Sequence, residues 1–244
     1  MSVLKAVEPF QFKQFAVAQD QCAMRVGTDG VLLGAWACTE DVQKVLDVGT
    51  GSGVIAIMMA QRIANAEIHA IEIEEAAYTQ AANNMKECEW CDRLQPIHQS
   101  IQDYAKLSQE EYDLIISNPP FFSGGTFSLD ENRTNVRHTV KLPHGDLLSA
   151  ARKLLSKEGK LCIILPYIEG LRIQEVAKTY RLYCSKITEV VSRPGQKAER
   201  LLMEFQKEAC ETVVKDEMSI YEGAKGKKYS AAYIDLTKQF YLKM

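Results

Sequence analysis

The sequence predicts an α/β protein: a doubly wound, mostly parallel sheet of seven strands closed by an antiparallel C-terminal hairpin. Three observations carry that expectation. From residue 44 onward, short apolar runs alternate with segments of helical periodicity, the pattern of βαβ units with right-handed crossovers. A glycine-rich turn, Asp47-Val48-Gly49-Thr50-Gly51-Ser52-Gly53, follows the first of those runs. Near the end the rhythm changes, and two apolar runs flank Arg193-Pro194-Gly195-Gln196, a turn signal that makes an antiparallel pair.

The elements follow in order. Residues 44–48 (KVLDV) form a strand that ends in the glycines, and 52–63 sets Ile55, Met58, Met59 and Ile63 on one helical face. A second strand is expected at 67–73, a helix at 75–87 and a third strand near 94–99. Residues 112–117 (YDLIIS) are apolar enough to be buried on both faces, as parallel strands are. A helix over 147–155 stops before Gly159, and a fifth strand follows at 160–166 (KLCIILP). A helix over 168–180 leads to the last two strands, 182–191 and 200–206. Ahead of this core, 10–17 (FQFKQFAV) alternates as a strand would, before a helix start at Thr28-Asp29-Gly30. The tail, 229–244 (YSAAYIDLTKQFYLKM), reads as an amphipathic helix. The expected organisation is an N-terminal extension over 1–40 holding a hairpin and a helix, a ligand-binding core over 41–210, and a tail over 211–244 within the same domain.

Composition sets limits on function. At 244 residues, 46% hydrophobic and 25% charged, the chain can bury the core of one large domain. No run approaches the roughly 18 apolar residues of a membrane span, and the opening residues lack the pattern of a signal peptide. No membrane is expected, and the expected location is the cytoplasm. Seven cysteines are scattered, and only Cys88 and Cys91 have metal-ligand spacing. One such pair is not a zinc site, so no metal is expected and the thiols read as structural. The net charge of −3 hides an asymmetry: residues 1–150 carry 11 basic against 20 acidic side chains, and residues 151–244 carry 18 against 12. That pattern suits an acidic catalytic half and a basic half that meets phosphates. The oligomeric state is open, with a monomer favoured.

The glycine turn is one residue short of the dinucleotide fingerprint, with Val54 where a dehydrogenase has its third glycine. Asp47 directly before the turn suits a ligand with a cationic amino-acid end rather than a pyrophosphate. Asp47 would attract an ammonium, directly or through water, while Gly49 and Gly51 let a sulfonium nucleoside lie against the chain. Nineteen residues after Gly53, Glu72 closes the second strand at a position where a carboxylate accepts ribose hydroxyls. Glu72 is preferred over Glu74, which falls past the strand end, and Ile73 follows it directly.

Ser117-Asn118-Pro119-Pro120-Phe121 comes after the fourth strand, at the carboxyl edge where open α/β sheets bind ligands. Two prolines stiffen the turn and force Asn118 into an extended conformation. The Asn118 side-chain oxygen and the Pro119 carbonyl would then point at one spot, where together they grip both hydrogens of a planar amine. Such an amine is a poor nucleophile because its lone pair is delocalised, so positioning and electrostatic preorganisation are the expected contribution. Phe121 offers a face on which an extruded base stacks.

Together these residues resemble the class I amino-methyltransferases, which pair a D-x-G-x-G-x-G loop with a D/N/S-P-P-Y/F motif. The resemblance narrows to the YfiC-type tRNA (adenine-N6) methyltransferases. It is carried by Phe12-Lys13-Gln14-Phe15, by the run from Met24 to Ala37 containing Gly27-Thr28-Asp29-Gly30, by Leu114 to Pro120, and by Tyr229-Ser230-Ala231-Ala232-Tyr233 with Phe240-Tyr241-Leu242. It implies a Rossmann-like class I methyltransferase fold, S-adenosylmethionine as methyl donor, and the N6 amine of the adenine just 3′ of the anticodon in a valine tRNA as target. Asp47, Gly49, Gly51, Glu72 and Asn118 match the family pattern, and Gly53 completes its loop. Phe121-Phe122 replaces the family's tyrosine pair, which keeps stacking but loses a hydroxyl. Ser100, Ile101 and Asp103 all compete for the cofactor adenine. Thr28 and Asp29 are expected to cap a helix while lining the cofactor pocket. Arg133, Arg137 and His138 are candidates for RNA phosphates, as are Lys225, Lys227 and Lys228.

The catalytic motif serves a planar amide as well as an adenine, so a glutamine-amide methyltransferase acting on a translation factor is the nearest alternative. A DNA adenine methyltransferase would need a target-recognition domain beyond this short tail. A non-catalytic RNA-binding homologue would have little use for an intact glycine loop and Asn118.

Overall fold

The computed structural model of the chain describes residues 8–22, 24–120 and 144–244. A short hairpin of β1 (Phe10–Gln11) and β2 (Ala16–Val17) precedes helix α1 (Thr28–Trp36). Strands and helices then alternate: β3 (Lys44–Val48), α2 (Val54–Arg62), β4 (Glu67–Glu72), α3 (Glu75–Lys86), β5 (Leu94–His98), α4 (Ile101–Leu107) and β6 (Tyr112–Ser117). Beyond residue 143 come α5 (His144–Leu154), β7 (Leu155–Pro166), α6 (Tyr167–Ala177), β8 (Tyr183–Val191), β9 (Ala198–Gln206), β10 (Val214–Ser219) and α7 (Ala231–Thr237).

Eight strands form one sheet in the order β10-β8-β9-β7-β6-β3-β4-β5. Strands β3 to β7 run parallel, and β9 lies antiparallel between β7 and β8. Alternate side chains of each central strand enter opposite cores, because strand side chains alternate and both faces are covered. Val45 packs with α1 and α2, whereas its neighbour Leu46 packs with α4, α5 and α6. The seven expected strands are all present.

An eighth, β10, lies in the segment read as tail and pairs parallel with β8. Helix α4 was likewise unforeseen; only Ile101 and Ala105 of its seven residues are buried. Residues 10–17 fold as a hairpin rather than one strand, with Phe12 and Phe15 stacked across its turn at 4.5 Å. The tail is helical only over Ala231–Thr237, because Phe240 and Tyr241 turn back onto that hairpin. The Lys13 N–H donates to the Phe240 carbonyl at 2.8 Å, and Phe12 bridges to Tyr241. Strand β7 begins five residues before the expected position and bulges against β6.

Candidate active site

Strand β3 lies between β4 and β6, the switch point where open α/β sheets hold ligands at their carboxyl ends. The turn after β3 carries Gly49, Gly51 and Gly53 at φ of 71°, 57° and 84°. A Cβ at Gly49 or Gly51 would meet nothing within 4 Å. The left-handed backbone, rather than crowding, selects glycine there, and it leaves bare chain facing open space. Gly53 differs: a Cβ on it would come within 3.1 Å of Met85 on α3.

Asp47 lies under this turn and is fully buried. Its Oδ2 accepts the Thr50 hydroxyl at 2.6 Å and the Ala56 N–H at 3.1 Å, lashing the turn to α2. Its Oδ1 is buried with no partner among the described residues. Burial pushes the carboxyl up from its usual 3.8 to about 7, against the pull of those two hydrogen bonds. Asp47 lines neither of the cavities described below, so its charge acts from beneath the turn.

Glu72 ends β4 with little exposure, and its carboxylate is held on three sides. Oε2 accepts the Gly51 N–H at 2.9 Å, and Oε1 accepts those of Ile73 and Glu74 at 2.9 and 3.0 Å. At the tip of β6, the Ser117 hydroxyl donates to the Val48 carbonyl at 2.8 Å, tying this strand end to β3. Asn118 follows, with its Oδ1 shielded from solvent and without a partner among the described residues. An open buried acceptor costs about 1–3 kcal/mol, which calls for a functional explanation. Pro119 is buried and Pro120 half-buried. Phe121, Arg133, Arg137 and His138 lie outside the described residues.

Two cavities open along this edge. The first, about 330 Å³, is walled by Gly49, Gly51, Glu72, Ile73, Ser100 and Ile101, with Gln21, Cys22 and Met24 on its outer side. The second, about 530 Å³, is bordered by Thr28, Asp29, Val54, Ser192, Arg200 and Ile220. They share Met24, Gly49, Gly51 and Asn118, so Asn118 stands at their junction. Helix α1 approaches it closely: a Cβ on Gly30 would lie 3.9 Å from the Asn118 Nδ2.

The expectation that Thr28 and Asp29 cap α1 is corrected. Gly27 occupies the cap position in extended conformation, and no side chain bonds the helix start. Asp29 instead pairs with the Arg200 Nε at 2.9 Å, joining α1 to the C-terminal hairpin. Of the three candidates after β5, Ser100 and Ile101 line the first cavity. Asp103 does not; it accepts from Ser100 at 2.8 Å and pairs with Lys106 at 2.9 Å. Lys225, Lys227 and Lys228 sit on an exposed turn, where Lys228 pairs with Glu222 at 2.6 Å. Arg193 fastens that turn beside the second cavity, lying 4.9 Å over the Tyr221 ring and donating to the Gly223 and Gly226 carbonyls.

Sequence reasoning missed the walls contributed by Gln21, Cys22 and Met24, and by Ser192, Arg200 and Ile220. Asp29 and Arg200 are 171 residues apart, and no local spacing announces such a pair. Among the described residues, no group of three or more His, Cys, Asp or Glu is placed to hold a metal ion, and no helix is long and apolar enough to cross a membrane.

Comparison with known proteins gives consistent results. The methyltransferase small domain family matches residues 27–172. A Flavobacterium johnsoniae protein named tRNA1(Val) (adenine(37)-N6)-methyltransferase is 42% identical over 236 residues, covering 96% of this chain and 100% of its own. A protein of the same name from Bacteroides thetaiotaomicron is 41% identical over 236 residues, covering 96% and 97%. Among solved structures, one from Agrobacterium tumefaciens described as a predicted O-methyltransferase superposes with a TM-score of 0.69 at 17% identity, over 87% of this chain and 96% of that one. That last similarity speaks for the fold alone.

Proposed function

The chain belongs to the methyltransferase small domain family and to the tRNA1(Val) (adenine(37)-N6)-methyltransferases, and on that premise we propose how its residues methylate the N6 amine of adenine 37, just 3′ of the anticodon. The fold is the Rossmann-like class I methyltransferase fold, and the methyl donor is S-adenosylmethionine. When bound, that donor supplies a methyl group on a positively charged sulfur, already activated toward in-line displacement.

The first cavity fits the donor. Beside the three N–H groups it accepts, Glu72 keeps one lone pair, on Oε2, and this takes a ribose hydroxyl. Ile73, about half exposed at 49% although apolar, and Ile101 offer surfaces for the adenine, with Ser100 at the edge. Gly49 and Gly51 leave the turn bare for the methionyl part, Gly53 seats the turn on α3, and the Asp47 charge beneath attracts the ammonium. Thr28 and Asp29, expected to line the donor pocket, instead border the second cavity, next to the junction at Asn118.

The observation that carries the reading is the Asn118 Oδ1, buried and without a partner among the described residues, where the two cavities meet. It accepts one hydrogen of the adenine amine, and the Pro119 carbonyl accepts the other. Together they favour a pyramidal nitrogen whose lone pair points into the first cavity. Pro120 stiffens this arrangement, and Phe121 supplies the stacking face for the base. No base is needed before the new bond forms, because the proton leaves afterwards from a cationic nitrogen.

The second cavity takes the target nucleotide, with the turn of Lys225, Lys227 and Lys228 at its border meeting RNA phosphates. Arg133, Arg137 and His138 are proposed for the same task. The chain is proposed to work as a monomer in the cytoplasm. The relatives above carry a tRNA name, which favours an RNA amine over a glutamine amide. Methyl transfer from labelled donor to unmodified tRNA, and in parallel to a glutamine-bearing translation factor, tests the reading. Label confined to adenine 37 supports it, and label on the protein alone overturns it.

A further inference from the structure

We infer that Gln80 and Asn84, on the buried face of α3, are positioning residues for cofactor binding: they hold residues 18–22 as a strap that closes the outer wall of the first cavity. The inference rests on reading that cavity as the donor site. Both side chains are almost wholly buried, at 4% and 5% exposure. They are four residues apart, one above the other on a helix face.

Their polar groups go to the strap. The Asn84 Oδ1 accepts the Ala18 N–H at 3.0 Å, and its Nδ2 donates to the Ala18 carbonyl at 2.9 Å. The Nδ2 also donates to the Ser52 carbonyl in the glycine turn at 2.8 Å. The Gln80 Oε1 accepts the Gln21 N–H at 2.9 Å. Strand β2 ends at Val17, so beyond it the side-chain amides stand in for the ladder a strand would supply. Val17 is fully buried and anchors one end, while the Gln19 Oε1 accepts the Val26 N–H at 2.9 Å and folds the other.

Gln21, Cys22 and Met24 belong to this segment and line the same cavity as Glu72. Helix α3 starts three residues after Glu72, and Asn84 also grips the glycine turn. One element therefore sets the strap, the turn and the carboxylate relative to each other. Loosening the strap should weaken donor binding and leave the chemical step alone, because Gln21 and Cys22 line the first cavity and not the second.

Cys22 reports on the strap directly. It is half-buried, and burial pushes its thiol up to about 11, so it alkylates slowly while the strap is docked. Gln80→Met keeps the side-chain volume and removes the acceptor without touching the glycine turn; Asn84→Ser serves as a second variant. The measurements are S-adenosylmethionine affinity by calorimetry, steady-state kinetics with tRNA, and iodoacetamide labelling of Cys22 read by peptide mass mapping. Expected are an affinity loss of about tenfold, the scale of one lost hydrogen bond, a raised donor KM with kcat at saturating donor unchanged, and faster Cys22 labelling. Unchanged affinity and labelling in a Gln80→Met protein whose parent binds the donor would overturn the strap. Lowered kcat with unchanged donor KM would overturn it too. A parent that binds no S-adenosylmethionine would instead overturn the donor-site reading on which the inference rests.

Discussion

The Glu72 carboxylate accepts the backbone N–H of Gly51 at 2.9 Å, so the tip of β4 holds in place the glycine turn that follows β3. The same side chain lines the first cavity, proposed to hold the donor, and the two duties predict a double phenotype. Glu72→Ala should weaken S-adenosylmethionine binding by ~1.5–3 kcal/mol, the worth of a charge-assisted hydrogen bond, or roughly ten- to a hundredfold. It should also lower the melting temperature, because three backbone N–H groups lose their acceptor. Calorimetry and thermal denaturation check both, and unaltered affinity would mean that this cavity does not hold the donor's ribose.

Asp47 predicts a pH dependence whose sign is fixed. Burial holds its proton up to about pH 7 in the folded chain, against 3.8 ordinarily. The folded state therefore binds more protons between those values, and stability falls as pH rises from about 4 to 7. Below about pH 4 both states are protonated, and above 7 the full cost of the buried charge is present. Asp47→Asn removes the titration, so its melting temperature without donor should vary less across this window. Donor binding should run the other way in the parent, strengthening as the carboxylate ionises and attracts the ammonium, and staying flat in Asp47→Asn. Parallel profiles for parent and variant would show that Asp47 does not titrate there.

How much of this was readable beforehand depended on locality. The central strands announced themselves as unbroken apolar runs because both sheet faces are covered; residues 112–117 match β6 at both ends. Strand β10 did not, since an edge strand needs no apolar periodicity and its first four residues are exposed. In the site, Asp47, Gly51, Glu72 and Asn118 were legible because each sits at or just past the carboxyl end of β3, β4 or β6, and chain order brings neighbouring strand ends together. The Asp29–Arg200 pair and the strap tied by Asn84 were hidden. Both depend on contacts between distant segments, and a buried asparagine in a helix looks like any other polar residue until its partner is known.

The lysine turn predicts a change in RNA affinity without a change in chemistry. Reversing Lys225, Lys227 and Lys228 to glutamate should weaken tRNA binding and lower the slope of log affinity against log salt, by a little under one for each phosphate that is no longer neutralised. The kcat at saturating tRNA and the donor affinity should be unchanged, because Lys225, Lys227 and Lys228 line neither cavity. Arg193→Ala should act in the same direction by releasing the turn from the Tyr221 ring. If the salt slope stays where it was, phosphates are met elsewhere, with Arg133 and Arg137 the next candidates.

Asn118 is predicted to separate binding from turnover. Its Oδ1 is already shielded from solvent and has no partner among the described residues, so accepting a hydrogen from the adenine amine costs no further loss of water. The bond strengthens as the nitrogen pyramidalises and its hydrogens become more acidic. An interaction stronger in the transition state than in the ground state appears in kcat rather than in KM. Asn118→Ala should therefore bind S-adenosylmethionine and tRNA nearly as the parent does, yet transfer methyl on the order of a hundredfold or more slowly. Asn118→Asp should keep part of the rate, since it preserves an acceptor at the same reach. Phe121→Ala should impair base placement while Phe121→Tyr is tolerated, because the stacking face survives. Single-turnover transfer to unmodified tRNA at saturating donor measures the step itself. Near-normal transfer by Asn118→Ala would show that another group orients the amine and that this loop serves only to shape the junction between the cavities.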